Sequence, residues 1–83
     1  MTYQSILQWI SIRLAELVKI NVDQIDPQLP FDRYGLDSLS AVTLIGELGD
    51  WLQLELDPSI VYDYPTIEQL SKYVSEQING GDA

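Results

Sequence analysis

The chain has 83 residues, which is enough for one small domain and too few for two. Hydrophobic residues make up 46% of the sequence and no low-complexity run is present, so the composition is that of a folded domain and not of a disordered tail. The formal net charge is −9 with only four Lys and Arg residues, which argues against nucleic-acid binding because phosphate backbones are bound through clustered cations.

The first predicted element is an amphipathic helix over roughly residues 3–19. Its apolar residues recur at helical spacing and form one stripe: Ile6, Leu7, Ile10, Leu14, Leu17 and Val18. Lys19 suits the negative C-terminal pole of this helix. The prolines at positions 27 and 30 then end helical continuity.

A long loop over residues 20–37 is predicted to follow the first helix. Apolar residues spaced along it predict that the loop packs against the core: Val22, Ile25, Leu29 and Phe31. The acidic residues are concentrated here and just beyond, since residues 20–65 carry a net charge of −8. Any single carboxylate fits a solvated surface, but the concentration favours docking to a basic partner.

The second helix is predicted over roughly residues 38–52. Its core positions are Leu44, Ile45, Leu48 and Leu52. Ser38 opens this helix after a tight turn, so that its hydroxyl lies among unpaired N–H groups that favour a phosphate ester. The alternative is that Ser38 or Asp37 only caps the helix. Leu39 and Val42 lie off the core stripe, where they either contact a partner or pack at the edge of the core.

Two glycines and a tryptophan in the second helix need separate explanations. Gly46 and Gly49 each cost about 1 kcal/mol relative to Ala, which predicts close approach of another helix or of a partner. Trp51 fits either the core or the surface.

The remaining sequence predicts one short helix and one longer helix. The short helix covers residues 59–63 and is stopped by Pro65, while Thr66 and Gln69 form a capping-box pattern at the start of the last helix. The core positions of the last helix are Ile67, Leu70, Val74 and Ile78. We therefore expect an all-α four-helix bundle, with three longer helices and one short helix, over residues 1–78 and a flexible tail or linker over residues 79–83.

Missing residue types exclude most catalytic classes. The chain has no histidine, which removes the usual general base and the commonest nitrogen ligand for metals, and no cysteine, so any thiol must be imported. No twelve-residue calcium loop is present, and we expect no metal site and no catalytic residue. No apolar stretch approaches the ~20 residues of a membrane span, and no signal-peptide pattern is present, which predicts a cytoplasmic location without membrane contact.

Three segments together match the pattern of a known family: Phe31-Asp32-Arg33-Tyr34-Gly35-Leu36-Asp37-Ser38-Leu39, the upstream Ile25-Asp26-Pro27, and Val61-Tyr62-Asp63-Tyr64-Pro65-Thr66 with the following Leu70. On these residues the chain resembles an acyl carrier protein, and most of all the carrier domains of modular polyketide synthases. The resemblance spans nearly the whole chain. It implies a four-helix bundle in which the serine of the first segment, Ser38, is esterified with 4′-phosphopantetheine from coenzyme A.

The resemblance also implies partners. A magnesium-dependent phosphopantetheinyl transferase would modify Ser38, and a ketosynthase, an acyltransferase or other acyl-processing enzymes would act on thioesters carried by the arm. The docking residues that it implies are acidic and apolar: Asp37, Leu39, Val42, Glu47 and Asp50. The isolated domain is expected to be monomeric and not itself an enzyme.

Two alternatives stay open at this point. Peptidyl carriers of nonribosomal synthetases usually have a Gly-Gly pair where this chain has Gly35-Leu36, and free-standing fatty-acid carriers differ from it at Ser40, Thr43 and Gly46. A polyketide carrier therefore fits better than either, with the peptidyl carrier as the alternative. From another class, a small acidic helical interaction domain would use Ser38 only as a cap.

Overall fold

The structure is a computed structural model that describes residues 2–79. Its α-helices in chain order are α1 (Tyr3–Val18), α2 (Ser38–Leu52), α3 (Ile60–Asp63) and α4 (Ile67–Asn79). No strand occurs between residues 2 and 79. The prediction of an all-α bundle with three longer helices and one short helix is therefore confirmed. The predicted tail begins at Asn79, the last residue of α4, and its remaining residues, 80–83, lie outside the described part.

Local sequence signals explain where the long helices begin and end. The Thr2 hydroxyl accepts a hydrogen bond from the N–H of Ser5 at 3.2 Å and so caps α1. Lys19 ends α1 in a left-handed conformation, with φ of 62°. At the start of α4, the N–H of Gln69 donates to the Thr66 hydroxyl at 3.1 Å, which is one of the two hydrogen bonds of the predicted capping box.

The core is shared by all four helices and by one residue of the long loop. It consists of Ile6, Ile10, Leu14, Phe31, Ala41, Leu44, Ile45, Leu48, Ile60, Val61, Ile67, Leu70 and Val74. Helix α1 packs against both α2 and α4. The outermost predicted core residues of each stripe, such as Leu52 and Ile78, are only partly buried. Within residues 2–79, every helix is too short or too polar to cross a lipid bilayer.

The long loop is packed onto the bundle as predicted; of its four predicted anchors, Phe31 lies in the core and Ile25 packs against it, whereas Leu29 and Val22 belong to neither group. The N–H of Phe31 donates to the Pro65 carbonyl at 2.8 Å, and the N–H of Glu68 donates to the Pro27 carbonyl at 3.0 Å. These two bonds join the loop to the start of α4. The prediction was wrong for Val22, which is 46% exposed because it begins a short surface 3₁₀ turn, Val22–Gln24, in which no residue is buried.

The two glycines of α2 differ in their surroundings. A Cβ atom at Gly49 would lie 2.7 Å from the Leu54 carbonyl oxygen, because the segment after α2 folds back and its Leu54 N–H donates to the Gly49 carbonyl. Gly49 therefore permits a close approach of the backbone, as expected. At Gly46 a Cβ atom would meet nothing within 4 Å, so the expected close approach does not occur there within the described chain.

Candidate functional site

A tight turn places the start of α2 at the surface. The 3₁₀ turn Phe31–Tyr34 ends at Gly35, whose φ of 76° lies in the left-handed region that favours glycine. The Tyr34 hydroxyl donates to the Asp26 carbonyl at 2.8 Å and accepts from the Asp26 N–H at 2.6 Å. This pair of hydrogen bonds holds the turn against the preceding loop, and the chain then enters α2 through Leu36 and Asp37.

Asp37 is the N-cap of α2. Its Oδ1 accepts a hydrogen bond from the N–H of Ser40 at 2.7 Å, and its own carbonyl accepts from the N–H of Ala41 at 2.9 Å. The N–H and then the hydroxyl of Ser40 stabilise the carboxylate, and they lower the pKa of Asp37 below its ordinary value. Of the two candidate caps in the sequence, Asp37 is the one used.

Ser38 is the first residue of α2 and is exposed. Between residues 2 and 79, no hydrogen bond involves its hydroxyl. Unpaired N–H groups and the positive end of the helix dipole surround this position, so a phosphate ester formed here is favoured electrostatically. The adjacent Asp37 carboxylate is engaged with Ser40, and a serine hydroxyl with no base beside it is a poor nucleophile. The described residues therefore leave the Ser38 hydroxyl exposed and place no activating base beside it.

Apolar side chains flank Ser38 without entering the core. Leu39 is 76% exposed and Val42 is 49% exposed, which matches their predicted position beside the serine. The interpretation of these residues as edge-of-core packing is therefore not supported. Tyr62 on α3 is 70% exposed. The sequence analysis did not assign Tyr62 to the site, although it lies in the Val61–Thr66 segment that carried the family resemblance.

A groove opens between the start of α2, the loop before it and α3. Its volume is about 410 Å³, and apolar residues dominate the residues that line it: Pro30, Phe31, Asp32, Arg33, Leu36, Ala41, Val61, Tyr62 and Pro65. Leu36 and Ala41 lie two residues before and three residues after Ser38. Residues on both sides of Ser38 in the sequence therefore line the groove, although Ser38 itself is not one of its lining residues.

Glu47 lies further along α2 and is paired with α1. The Nε and Nη2 atoms of Arg13 donate to Oε1 and Oε2 of Glu47 at 2.5 and 3.0 Å, and Nη1 donates to Glu16 at 3.3 Å. This two-bond contact lowers the pKa of Glu47 and raises the pKa of Arg13. The sequence analysis missed Arg13, because the two residues are 34 positions apart and no local pattern links them.

A second contact joins α1 and α2 one turn beyond this ion pair. The rings of Trp9 and Trp51 are stacked, with centroids 5.2 Å apart and planes within 7°. Trp51 is 37% exposed, so it lies at the surface with one ring face covered. Asp50 beside it is exposed, and the ion pairs found within residues 2–79 do not include it. The predicted docking residues thus fall into two groups, those around Ser38 and those near the end of α2.

Comparison with known proteins agrees with this arrangement. Residues 8–74 match the family described as PP-binding, the phosphopantetheine attachment site. The chain belongs to this family. The predicted resemblance to acyl carrier proteins is thereby confirmed, as is the expectation of a covalent 4′-phosphopantetheine as the cofactor of the family.

Relatives and solved structures specify the kind of carrier domain. The chain is 29% identical over 68 residues to the polyketide synthase PksL of Bacillus subtilis, covering 82% of the chain and 2% of that protein. A free-standing peptidyl carrier protein from Acinetobacter baumannii superposes with a TM-score of 0.89 at 34% identity, over 92% of this chain and 95% of that one. The HMG-ACPI domain of the CurA module from Lyngbya majuscula superposes with a TM-score of 0.88 at 27% identity, over 99% and 83%.

These comparisons describe a phosphopantetheine carrier domain similar to those of polyketide synthases. The chain spans only 1% to 4% of the length of the polyketide synthases that it matches. The similarity therefore concerns only a small part of each of these larger proteins.

Proposed function

We propose that Ser38 is the residue to which 4′-phosphopantetheine is attached. The observation that carries this proposal is an exposed hydroxyl at the first position of α2, without a hydrogen-bond partner among the described residues, inside the segment that matches the family. Asp37 performs the capping that would otherwise explain a serine here. The neighbouring groove and the helix N-terminus fit the arm and its phosphodiester.

The chemistry at Ser38 is a phosphoryl transfer carried out by a separate magnesium-dependent transferase. The Ser38 Oγ bonds to the phosphorus of the phosphopantetheinyl group of coenzyme A, the bond to adenosine 3′,5′-bisphosphate breaks, and the hydroxyl proton passes to a base of the transferase. When bound, the group supplies a terminal thiol that forms thioesters, which this chain without cysteine lacks. Ser38 is thus a substrate of another enzyme.

We propose further that the domain carries acyl intermediates and catalyses no step itself. The chain has no histidine, and the carboxylate next to Ser38 is committed to capping α2. The ketosynthase, the acyltransferase and the other acyl-processing enzymes that act on the cargo are then separate domains or proteins. The isolated domain works as a monomer in the cytoplasm, where coenzyme A is available.

The docking surface that we propose consists of two parts. Leu39 and Val42 supply exposed apolar contacts next to Ser38, and Asp37 contributes its negative charge while it caps the helix. Further along α2 lie the two predicted docking carboxylates: Asp50 is exposed and supplies a carboxylate for basic groups of the transferase and the acyl-processing enzymes, whereas Glu47 is already paired with Arg13. Partners that act on Ser38 must cover the first part, because those side chains lie within one turn of the serine.

The groove beside Ser38 gives the arm a place to rest. Its lining by Leu36, Ala41, Val61 and Tyr62 supports contact with the first carbons of an acyl group or with the pantetheine chain. Methyl resonances of Leu36 and Val61 are expected to shift when the attached arm is loaded with an acyl group. Methyl groups on the α1 side of the core, such as those of Leu14, serve as the internal control.

A peptidyl carrier is the second candidate function. The superposition on a free-standing peptidyl carrier protein, with a TM-score of 0.89, favours it. The two functions are separated by loading the modified protein with an acyltransferase and malonyl-coenzyme A, or with an adenylation domain and its amino acid. We expect the first reaction to form a thioester and the second not to.

The attachment itself is tested by mass. We expect incubation with coenzyme A, magnesium and a broad-specificity phosphopantetheinyl transferase to add one phosphopantetheinyl group to the native chain. Ser38→Ala should gain no mass, whereas Ser40→Ala, a matched change in the same helical turn, should still be modified. An unmodified native chain, or a modified Ser38→Ala variant, contradicts the proposal. A native chain that is not modified would favour the alternative of a small acidic interaction domain.

A further inference from the structure

Among the predicted docking carboxylates, Glu47 is the one that forms an ion pair within residues 2–79, and its partner is Arg13. Its guanidinium spans from α1 to α2 and donates to both carboxylate oxygens of Glu47, at 2.5 and 3.0 Å. The side chains remain 30% and 42% exposed, so the pair lies at the surface where a partner can reach it. A two-bond arginine–carboxylate contact is the most directional ion pair that a surface offers.

Pairing with Arg13 offsets the negative charge of Glu47 on the outer surface of α2. Arg13 and Glu47 together are neutral, and the residues between them and Ser38 on that surface, Leu39, Val42 and Gly46, carry no charge. Asp50, one turn further, is exposed and is not part of an ion pair found within residues 2–79. A basic partner group that approaches the middle of α2 therefore meets a carboxylate whose oxygens are already occupied.

Neighbouring contacts between α1 and α2 hold Arg13 and Glu47 opposite each other. Trp9 is one turn before Arg13 on α1 and Trp51 is one turn after Glu47 on α2, and their rings are stacked. Core packing of Ile10 and Leu14 holds the other side of α1. The stack and the core packing fix the backbones of the two helices, so only the side chains of Arg13 and Glu47 have to become ordered when they meet.

We propose that Arg13 is a specificity-determining residue that withholds Glu47 from basic partners of Ser38. This inference rests on the proposed attachment at Ser38. Partners then recognise the turn after Ser38 through Leu39 and Val42, with Asp50 as the available carboxylate. The partner to which this applies first is a phosphopantetheinyl transferase with a basic docking surface, because it must contact Ser38 in the unmodified chain. Glu47 lies roughly 13 Å further along the helix axis, within the footprint of such an enzyme.

The test is a double-mutant cycle on the apo protein, read as kcat and KM of the transferase at low and high salt. Arg13→Gln frees Glu47 and also Glu16, which the double variant described below leaves free as well. We expect KM of the Arg13→Gln variant to fall about two- to fivefold at low salt with kcat unchanged, the range of one exposed charge contact. The gain should disappear at high salt, where exposed charges are screened. Lys72→Gln on α4 makes the same change in net charge and should not reproduce it.

The decisive comparison is between the native chain and the double variant Arg13→Gln, Glu47→Gln. Both have the same net charge, and a withheld carboxylate contributes nothing, so their KM values should agree. A higher KM in the double variant overturns the inference, because Glu47 would then be contacting the partner in the native chain. An Arg13→Gln effect equal to that of Lys72→Gln also overturns it.

Two further measurements keep the outcome clear. Circular dichroism and thermal unfolding establish that each variant is folded, and Arg13→Lys, which keeps the charge, should retain a KM close to the native one. Failure of every chain, including the native one, to gain mass overturns the attachment at Ser38 and this inference with it. Modification of all variants with unchanged KM overturns this inference alone.

Discussion

The two ends of α2 differ in their contacts with the rest of the bundle. At the start, Ser38 and Leu39 are exposed and Asp37 makes only the local contacts that begin the helix. Towards the end, Glu47 and Trp51 are bound to side chains of α1, through an ion pair and a ring stack. One helix thus presents a hydroxyl at its free end while its other end is fastened to the bundle. The proposed attachment site at Ser38 is therefore exposed while the far end of the same helix is held by contacts with α1.

The largest expected effect is that substitutions at the start of α2 affect modification, whereas those at its end affect stability. Ser38→Ala should abolish modification and leave the unfolding temperature unchanged, because the hydroxyl makes no hydrogen bond within the described residues. Trp51→Ala should do the opposite, with modification retained and stability reduced. Intact mass and thermal unfolding on the same samples measure both. A Trp51→Ala protein that stays folded but is not modified would contradict this separation.

The stability part of that comparison can be given a magnitude. Trp51→Ala should lower the free energy of unfolding by about 1–2 kcal/mol, less than for a core tryptophan because the ring is partly exposed. A double-mutant cycle that combines Trp51→Ala with Trp9→Ala should give a coupling free energy of about 0.5–1.5 kcal/mol between the rings. Urea unfolding at neutral pH measures these values. Full additivity of the two substitutions would show that the stack contributes nothing beyond buried area.

Much of this arrangement was predicted from the sequence, for a physical reason. Helix periodicity and capping are local, so α2 begins at Ser38 as predicted, and the exposure of Leu39 and Val42 followed from their place off the apolar stripe. The attachment at Ser38 and the docking residues stay predictions. Contacts between helices are not encoded locally. Arg13 is 34 residues from Glu47, and the stack that places Trp51 at the surface depends on Trp9.

The two glycines of α2 lie in the same helix but differ in the space around the position of a Cβ atom. Gly46→Ala should stabilise the domain by up to about 1 kcal/mol, because a methyl group there meets open space and alanine favours the helix. Gly49→Ala should destabilise it, because its Cβ would lie 2.7 Å from a backbone oxygen of Leu54. Urea unfolding compares the two. A stabilised Gly49→Ala variant would show that the segment after α2 shifts freely.

At the start of the helix, Gly35 gives a prediction of similar size. Gly35→Ala should cost about 1 kcal/mol through backbone strain alone, because φ is 76° and no atom lies within 4 Å of the added methyl group. We also expect slower modification of Ser38, because this turn sets the entry into α2. Gly46→Ala is the matched control, with the same chemical change in a relaxed conformation. Equal stability of the two variants would remove the argument from strain.

The smallest expected effect is on the pH dependence of stability. The pKa of Asp37 is lowered from 3.8 and that of Glu47 from 4.5, so each stabilises the fold above those unfolded-state values and loses this contribution as pH falls through its lower folded-state pKa. Unfolding temperature should therefore drop below about pH 4.5. Asp37→Asn, which can still cap the helix, and Glu47→Gln should each flatten part of this drop. Salt should weaken the Glu47 part more, since it depends on the charge of Arg13 on the neighbouring helix, whereas Asp37 interacts with neutral donors and the helix dipole of its own turn. An equal salt response at both positions would mean that the two ends of α2 do not differ in how they hold their carboxylates.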